Sequence, residues 1–386
     1  MRKLSLVLLC VAFCTAAALA QVSTESTGSS PENTIESSTS PVAYVYVSSS
    51  TGVVAYHAAS NGKLTHIAGS PFSADVNYLV SNGKYLFGST QSGTDIDAYS
   101  IESDGALRYA KSTTIPTLSD SGCGSAGALS LDHTGANLYN LDYDGNICAN
   151  NSFQAFKIAA STGSLGFLNN SGASPALGGP LSFLANNKFA YTAGSFHSSG
   201  SIFVFRRNSN GSLTALNFNP EIPGNYTPLG AAADATDHVA TSVQDFIGEG
   251  ETSGPPLLAT YTAESSGNLT TTSTVHNMPK VLVVNVNALN MAPSGKLLAV
   301  AGSGGLQVFH FNGASPITHY TGLLTSDEVD QVFWDNKNHL YAIGSTSNKL
   351  WVFTVTPTSH SQAPGSPYTI HDPGGLAVLP LPLFVP

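Results

Sequence analysis

The chain is 386 residues long, with 14 Lys and Arg against 24 Asp and Glu and a formal net charge of −10. That acidic balance argues against nucleic-acid binding, which needs a basic footprint to displace counterions, and is read first as solubility. No phosphate-binding loop, Gly-x-Ser-x-Gly elbow or paired-cysteine zinc motif occurs.

Residues 1–20 read as a secretory signal peptide. Arg2 and Lys3 form the positive end, Leu4 to Phe13 the apolar stretch, and Ala18-Leu19-Ala20 the small-residue cleavage site. The apolar stretch is short of the ~20 residues a membrane span prefers. Cleavage after Ala20 removes Arg2 and Lys3 and leaves −12. Residues 21–41 are nearly all Ser, Thr, Glu, Gly, Pro and Asn. They offer too little apolar surface to offset the entropy of ordering, so a disordered linker is expected. A secreted or periplasmic location follows.

Residues 42–386 carry a repeat. An apolar residue, two spacers and an aromatic recur as Val53/Tyr56, Ile96/Tyr99, Phe153/Phe156, Ile202/Phe205, Leu258/Tyr261, Leu306/Phe309 and Leu350/Phe353. Six copies precede a turn: Asn61-Gly62, Asp104-Gly105, Thr162-Gly163, Asn210-Gly211, Ser266-Gly267 and Asn312-Gly313. The aromatics lie 43, 57, 49, 56, 48 and 44 residues apart. A period of about 40–50 residues built from strands and Gly turns predicts an all-β, single seven-bladed β-propeller with four-stranded antiparallel blades. Residues three apart on a strand point to opposite faces, so each pair packs one member forward and one backward around the ring. The first unit lacks an inner strand, and Gly375 to Leu379 is a strand without a blade. Completion of blade 1 by this C-terminal strand closes the ring and removes exposed edges.

Cys123 and Cys148 are the two cysteines left after cleavage, and in an exported chain they are expected to form a disulfide. Such a loop closure stabilises by roughly 3–4 kcal/mol in the entropic account.

The loops between second and third strands share a face with the connections between blades. The polar candidates for a binding face there are Asp142, Asp144, Asn146 and Gln244. Asp142, Asp144 and Asn146 alternate as oxygen donors, as calcium loops do, but lack the closing bidentate Glu, and an ordinary polar turn is favoured. His197 with Asp245 and Glu249 is the candidate acid–base set, facing each other across blades 4 and 5. No metal or cofactor is expected, and a monomer is.

The phrases Ser81-Asn82-Gly83-Lys84-Tyr85-Leu86-Phe87 and Ala292-Pro293-Ser294-Gly295-Lys296-Leu297, with Gly-Ser-Pro at 69–71 and 365–367, resemble the lactonase-like seven-bladed propellers, the group of 6-phosphogluconolactonase. The resemblance covers about residues 42–380 and implies a hydrolytic site of His, Arg and Glu on one face. The matching positions here read Ala126-Gly127, Gly179-Pro180-Leu181-Ser182 and Ala193-Gly194, and no Arg lies between Arg108 and Arg206. Asp142 alone matches part of a family element. The expectation is therefore a secreted binding or scaffold propeller contacting a protein or extracellular glycan; the alternative is an exported lactonase acting on a sugar lactone.

Overall fold

The computed structural model describes residues 40–117, 124–142, 150–196, 199–248 and 251–382. Blade 1 consists, from the axis outwards, of Gly375–Pro380, Ala43–Ser49, Gly52–Ala58 and Leu64–His66. Blade 2 is Val76–Ser81, Tyr85–Thr90, Asp95–Ile101 and Leu107–Thr114; blade 3 is Leu129–Leu131, Asn137–Asp142, Asn151–Ile158 and Leu165–Ser174. Blade 4 is Ser182–Phe183, Phe189–Phe196, Ser199–Arg207 and Leu213–Leu216; blade 5 is Thr227–Ala233, His238–Gly248, Glu251–Ala263 and Leu269–Thr270. Blade 6 is Val286–Met291, Leu297–Gly302, Gly305–Asn312 and Ser315–Thr325. Blade 7 is Gln331–Trp334, His339–Gly344, Lys349–Val355 and His360–Gln362, with a further short strand, Tyr368–Thr369, on its third. Every pairing is antiparallel, and the ring closes where Gly375–Pro380 pairs with Ala43–Ser49, as the orphan C-terminal strand predicts.

The repeated apolar–aromatic pair occupies the third strand of every blade, and all fourteen side chains are buried. The apolar member faces the next blade and the aromatic the preceding one. Val53 therefore shares a core cluster with Tyr99, Ile96 with Phe156, Phe153 with Phe205 and Ile202 with Tyr261. Leu258 shares one with Phe309, Leu306 with Phe353, and Leu350 with Tyr56 across the closure. Each of the seven seams thus has its own apolar cluster, and each fully buried large side chain contributes about 1.5–3 kcal/mol by area.

The Gly turns have a steric reason besides hairpin geometry. Five sit under the first residue of the preceding blade's second strand, and Gly105 under the second residue of blade 1's. A Cβ on Gly211 would lie 2.1 Å from Asn137, and one on Gly267 would lie 2.4 Å from Phe189. Both glycines also have φ of +92°, which L side chains rarely adopt. Gly62 lies likewise under His339, Gly105 under Tyr44, Gly163 under Tyr85 and Gly313 under His238. Tyrosines of the second strands latch the same turns: the Tyr46, Tyr139 and Tyr191 hydroxyls donate to the carbonyls of Gly105, Gly211 and Gly267 at 2.9 Å each.

Hydroxyls replace strand carbonyls where the outer strand breaks away. In the two Gly-Ser-Pro segments, Ser70 and Ser366 accept the third-strand amides of Ala55 and Val352 at 2.8 and 2.9 Å. Ser273 and Thr321 do the same for Thr260 and Val308 in blades 5 and 6. Between blades 3 and 4, the Arg207 Nε donates to the fully buried Asp132 carboxylate at 2.6 Å, and its Nη2 to Asn137 Oδ1 at 2.9 Å.

Candidate functional site

The ring has two faces. The basal face carries the turns between first and second and between third and fourth strands. The loop face carries the turns between second and third strands and the connections between blades. Of the residues singled out from the sequence as site candidates, the described ones, Asp142, Gln244 and Asp245, fall at the loop face.

The inner strands are sewn together beneath this face. Gln331 donates to the carbonyl of Gly374 and accepts from the amide of Leu376, both at 3.0 Å, so one side chain imitates a strand partner between blades 7 and 1. Ser130 accepts the amide of Leu181 at 2.8 Å and Ser182 that of Ala233 at 2.7 Å, joining blades 3, 4 and 5.

Blade 3 holds a buried polar network at its loop-face end. The Asp142 side chain accepts from the Ser125 amide at 2.9 Å, the Ser125 hydroxyl at 3.0 Å, the Gly124 amide at 3.3 Å and Gln154 Nε2 at 3.2 Å. Asn140 accepts from the Gly127 amide and donates to the Ser125 carbonyl, each at 2.8 Å. Gln154 also donates to the Pro116 carbonyl at 3.0 Å. Asp142, Asn140 and Gln154 are all buried. A buried carboxylate is stable only when its lone pairs are met, and here the bonds to 124–127 meet them. Asp142 therefore anchors the connection entering blade 3 and does not present its oxygens at the surface.

Gln244 is buried as well and donates to the Gly254 carbonyl at 2.9 Å, which steadies the long hairpin of blade 5. Asp245, half-buried beside it, accepts from the Ser253 hydroxyl at 2.5 Å across that hairpin. His197, Glu249, Asp144 and Asn146, together with Cys123, Cys148 and the leader 1–39, lie outside the described residues. Of the acid–base set, Asp245 alone can be placed.

The seam of blades 4 and 5 carries an open cavity of about 350 Å³, lined by Gly200, Asn219, Pro220, Glu221, Asn225 and Tyr226 among others. The connection 217–226 forms its wall, turning through a short 3₁₀ segment, Pro223–Asn225. The Tyr261 hydroxyl donates to the Glu221 carbonyl at 3.0 Å, and burial pushes this phenol far above its ordinary range, so it stays protonated. A cavity of this size accepts a monosaccharide-sized ligand and offers it carboxylate, amide and aromatic contacts.

The remaining loop-face charges are chiefly carboxylates. Lys349 is held by Asp327 at 2.7 Å, the Ser345 amide donates to Asp330 at 2.6 Å, and the Thr346 hydroxyl donates to Glu328 at 2.8 Å. Among the described residues, no three His, Cys, Asp or Glu side chains gather where they could hold a metal ion. The two His–carboxylate pairs with good geometry lie instead at the basal turns: His238 with Asp234 at 3.0 Å and His339 with Asp335 at 2.6 Å, the latter fully buried under Tyr341. The buried network of blade 3 was missed in the sequence. Its signal is a run of polar residues, Asn137, Asn140 and Asp142, on a second strand whose counterpart in blade 6, Leu297–Gly302, is wholly apolar.

No family model matches the chain, and no curated protein matches it. Solved structures do. A 6-phosphogluconolactonase homologue from Bacteroides fragilis superposes with TM-score 0.63 and 15% identity over 87% of this chain and 98% of its own. A similar protein from Bacteroides uniformis gives 0.64 and 13%, over 87% and 99%. The periplasmic gluconolactonase of Pseudomonas aeruginosa gives 0.66 and 15%, over 88% and 99%. At these identities the likeness establishes the fold: the chain is a seven-bladed propeller of the shape those lactonase structures share.

Proposed function

We propose that the chain is an exported binding module whose loop face contacts a protein or an extracellular glycan. The observation that carries this reading is where the polar side chains go. Asn140, Asp142, Gln154, Gln244 and Gln331 are all engaged with backbone, and the charges left near the face are chiefly carboxylates, with Lys349 paired to Asp327 and Lys280 exposed in the connection between blades 5 and 6. A face of carboxylates and amides suits hydroxyl-rich or basic partners. Among the described residues, the lining of its seam cavity includes no cationic group that would hold an acidic or phosphorylated substrate and stabilise an oxyanion. The leader, the export route and the Cys123–Cys148 disulfide belong to the same proposal. Among the described residues no helix is long and apolar enough to cross a membrane.

The second reading is an exported lactonase acting on a sugar lactone. It is supported by the seam cavity and by the likeness to a periplasmic gluconolactonase. Hydrolysis of glucono-lactone by the full-length protein decides between them. Turnover that disappears in His197→Ala or Glu249→Ala makes the chain an enzyme. Absence of turnover, with glycan-array binding that is lost in Asp245→Lys, supports the binding module.

A further inference from the structure

The charges of this chain are segregated by face. Nine of the twelve described Lys and Arg residues stand at the basal end of the ring: Lys63, Lys84, Arg108, Lys157, Lys188, Arg206, Arg207, Lys296 and Lys337. Lys84, Lys188 and Lys296 repeat one position, the residue just before the second strand of blades 2, 4 and 6, and Lys337 lies in the same turn of blade 7. All four are exposed, and none has a carboxylate partner among the described residues. Because this turn lies at the same end of every blade, the four ammonium groups rise from one face of the ring. The exposed basal carboxylates are fewer: Asp104, Asp237, Glu264, and Glu102, which is paired with Arg108. Asp132, Asp234 and Asp335 are buried beneath the surface.

The opposite face inverts this balance. It carries Asp75, Asp95, Glu221, Asp245, Asp327, Glu328, Asp330 and Asp372, against Lys280 and Lys349. A chain that is acidic as a whole therefore presents one basic face, which net charge conceals.

We propose that the basal face docks on an anionic lipid surface. Three observations favour a flat sheet of charge over a linear polymer. The lysines recur in the same basal turn of four blades. The basal cavity, of about 370 Å³, is lined by His133, Ala185, Asp234, Ala235, Met291 and Pro293, with no lysine or arginine in its wall to grip a polyanion. The chain also enters the ring on this side: Ser40 to Val42 lead into Ala43, which pairs with Pro380 at the basal end of blade 1. Ser40 thus stands at the face that meets the surface, and the loop face with its seam cavity points away from it. Each basic residue near an anionic bilayer adds a modest attraction, so the net basal charge gives weak, reversible and salt-sensitive binding. This inference does not depend on what the loop face binds.

Co-sedimentation of the full chain with vesicles tests it. The probes are phosphatidylcholine vesicles and the same vesicles with about 30% phosphatidylglycerol. Partitioning is expected to be about tenfold stronger on the anionic vesicles in low salt and to fall to the neutral-vesicle level by about 300 mM salt. Lys188→Glu/Lys296→Glu/Lys337→Glu is expected to abolish the difference with an unchanged melting temperature. Asp75→Lys/Glu328→Lys adds positive charge to the other face and is expected to leave the difference as it was. Equal binding to both vesicle types, or full anionic-vesicle binding by the triple variant, overturns the proposal. Salt-sensitive binding to a soluble polyuronate with none to anionic vesicles overturns it in favour of a glycan. An equal gain from the loop-face lysines would show that net charge, and not the basal face, governs adsorption.

Discussion

The two faces of the ring are built by different rules. At the basal face the same turn recurs blade after blade, with a glycine pressed against the neighbouring blade and a tyrosine hydroxyl on its carbonyl in three seams. At the loop face the described connections vary, although blades 1 and 6 share a two-residue hairpin ending in Gly52 and Gly305. One is pinned by a buried carboxylate, one bulges into a seam cavity, and one extends a hairpin of 11 and 13 residues. The regular face holds the blades together and the irregular one is free to vary. Substitutions in the repeated basal turns should therefore cost stability, and those at exposed loop-face tips little.

The largest effect is expected where the regularity closes on itself. Truncation before Gly374 removes the inner strand of blade 1 and its ladder to Ala43–Ser49, and exposes an apolar sheet edge. Loss of the cooperative unfolding transition is expected in thermal melts; unchanged melting would show that closure is dispensable. Next comes Arg207→Ala, which leaves the Asp132 carboxylate buried and unpaired. A loss of about 3–5 kcal/mol is expected from denaturant midpoints.

Two glycines compare the faces directly. Gly211 and Gly93 both have positive φ, but a Cβ on Gly211 meets Asn137 at 2.1 Å whereas one on Gly93 meets nothing within 4 Å. Gly93→Ala is expected to cost about 1–2 kcal/mol from backbone strain alone. Gly211→Ala adds overpacking of about 1–3 kcal/mol. Equal losses in the two variants would refute the steric account of the repeated turn.

The tyrosine latches make stability depend on alkaline pH. Burial pushes the Tyr56 phenol up to about 12, and those of Tyr46, Tyr139, Tyr191 and Tyr261 higher still. The unfolded chain releases these protons near pH 10 while the folded ring keeps them. Unfolding therefore becomes more favourable as pH rises above about 10, and the stabilisation present below that value is lost. Tyr191→Phe is expected to cost about 1 kcal/mol at neutral pH, through the orphaned Gly267 carbonyl, and to flatten the alkaline fall by one proton.

Much of the regular half was legible in the chain itself. The apolar–aromatic beat named the third strands, and their opposite-facing side chains follow from strand geometry. The Gly turns and the C-terminal strand were equally plain. Hairpin geometry could not reveal that Gly211 lies under Asn137, because that contact joins residues 74 positions apart in neighbouring blades. The irregular half was harder to read. Asp142 and Gln244 look like surface ligands because Asp and Gln are usually exposed, and only the backbone amide and carbonyl groups around them account for their burial. Charge segregation was invisible for a similar reason: successive turns alternate between faces, so basic and acidic residues interleave along the chain.

The smallest effect is expected at Asp245, and it carries the most information about function. Its carboxylate accepts one hydroxyl from Ser253 on a half-exposed hairpin, with no positive charge paired to it among the described residues. Asp245→Asn keeps the shape and an acceptor for that hydroxyl, so a stability change within about 0.5 kcal/mol is expected. A ligand that reads the charge of this face should nevertheless bind more weakly, with the loss shrinking at high salt. A variant that melts normally yet binds less would assign Asp245 to recognition. A variant that loses stability on the scale of Arg207→Ala would make the hairpin part of the framework and erase the division between the faces at blade 5.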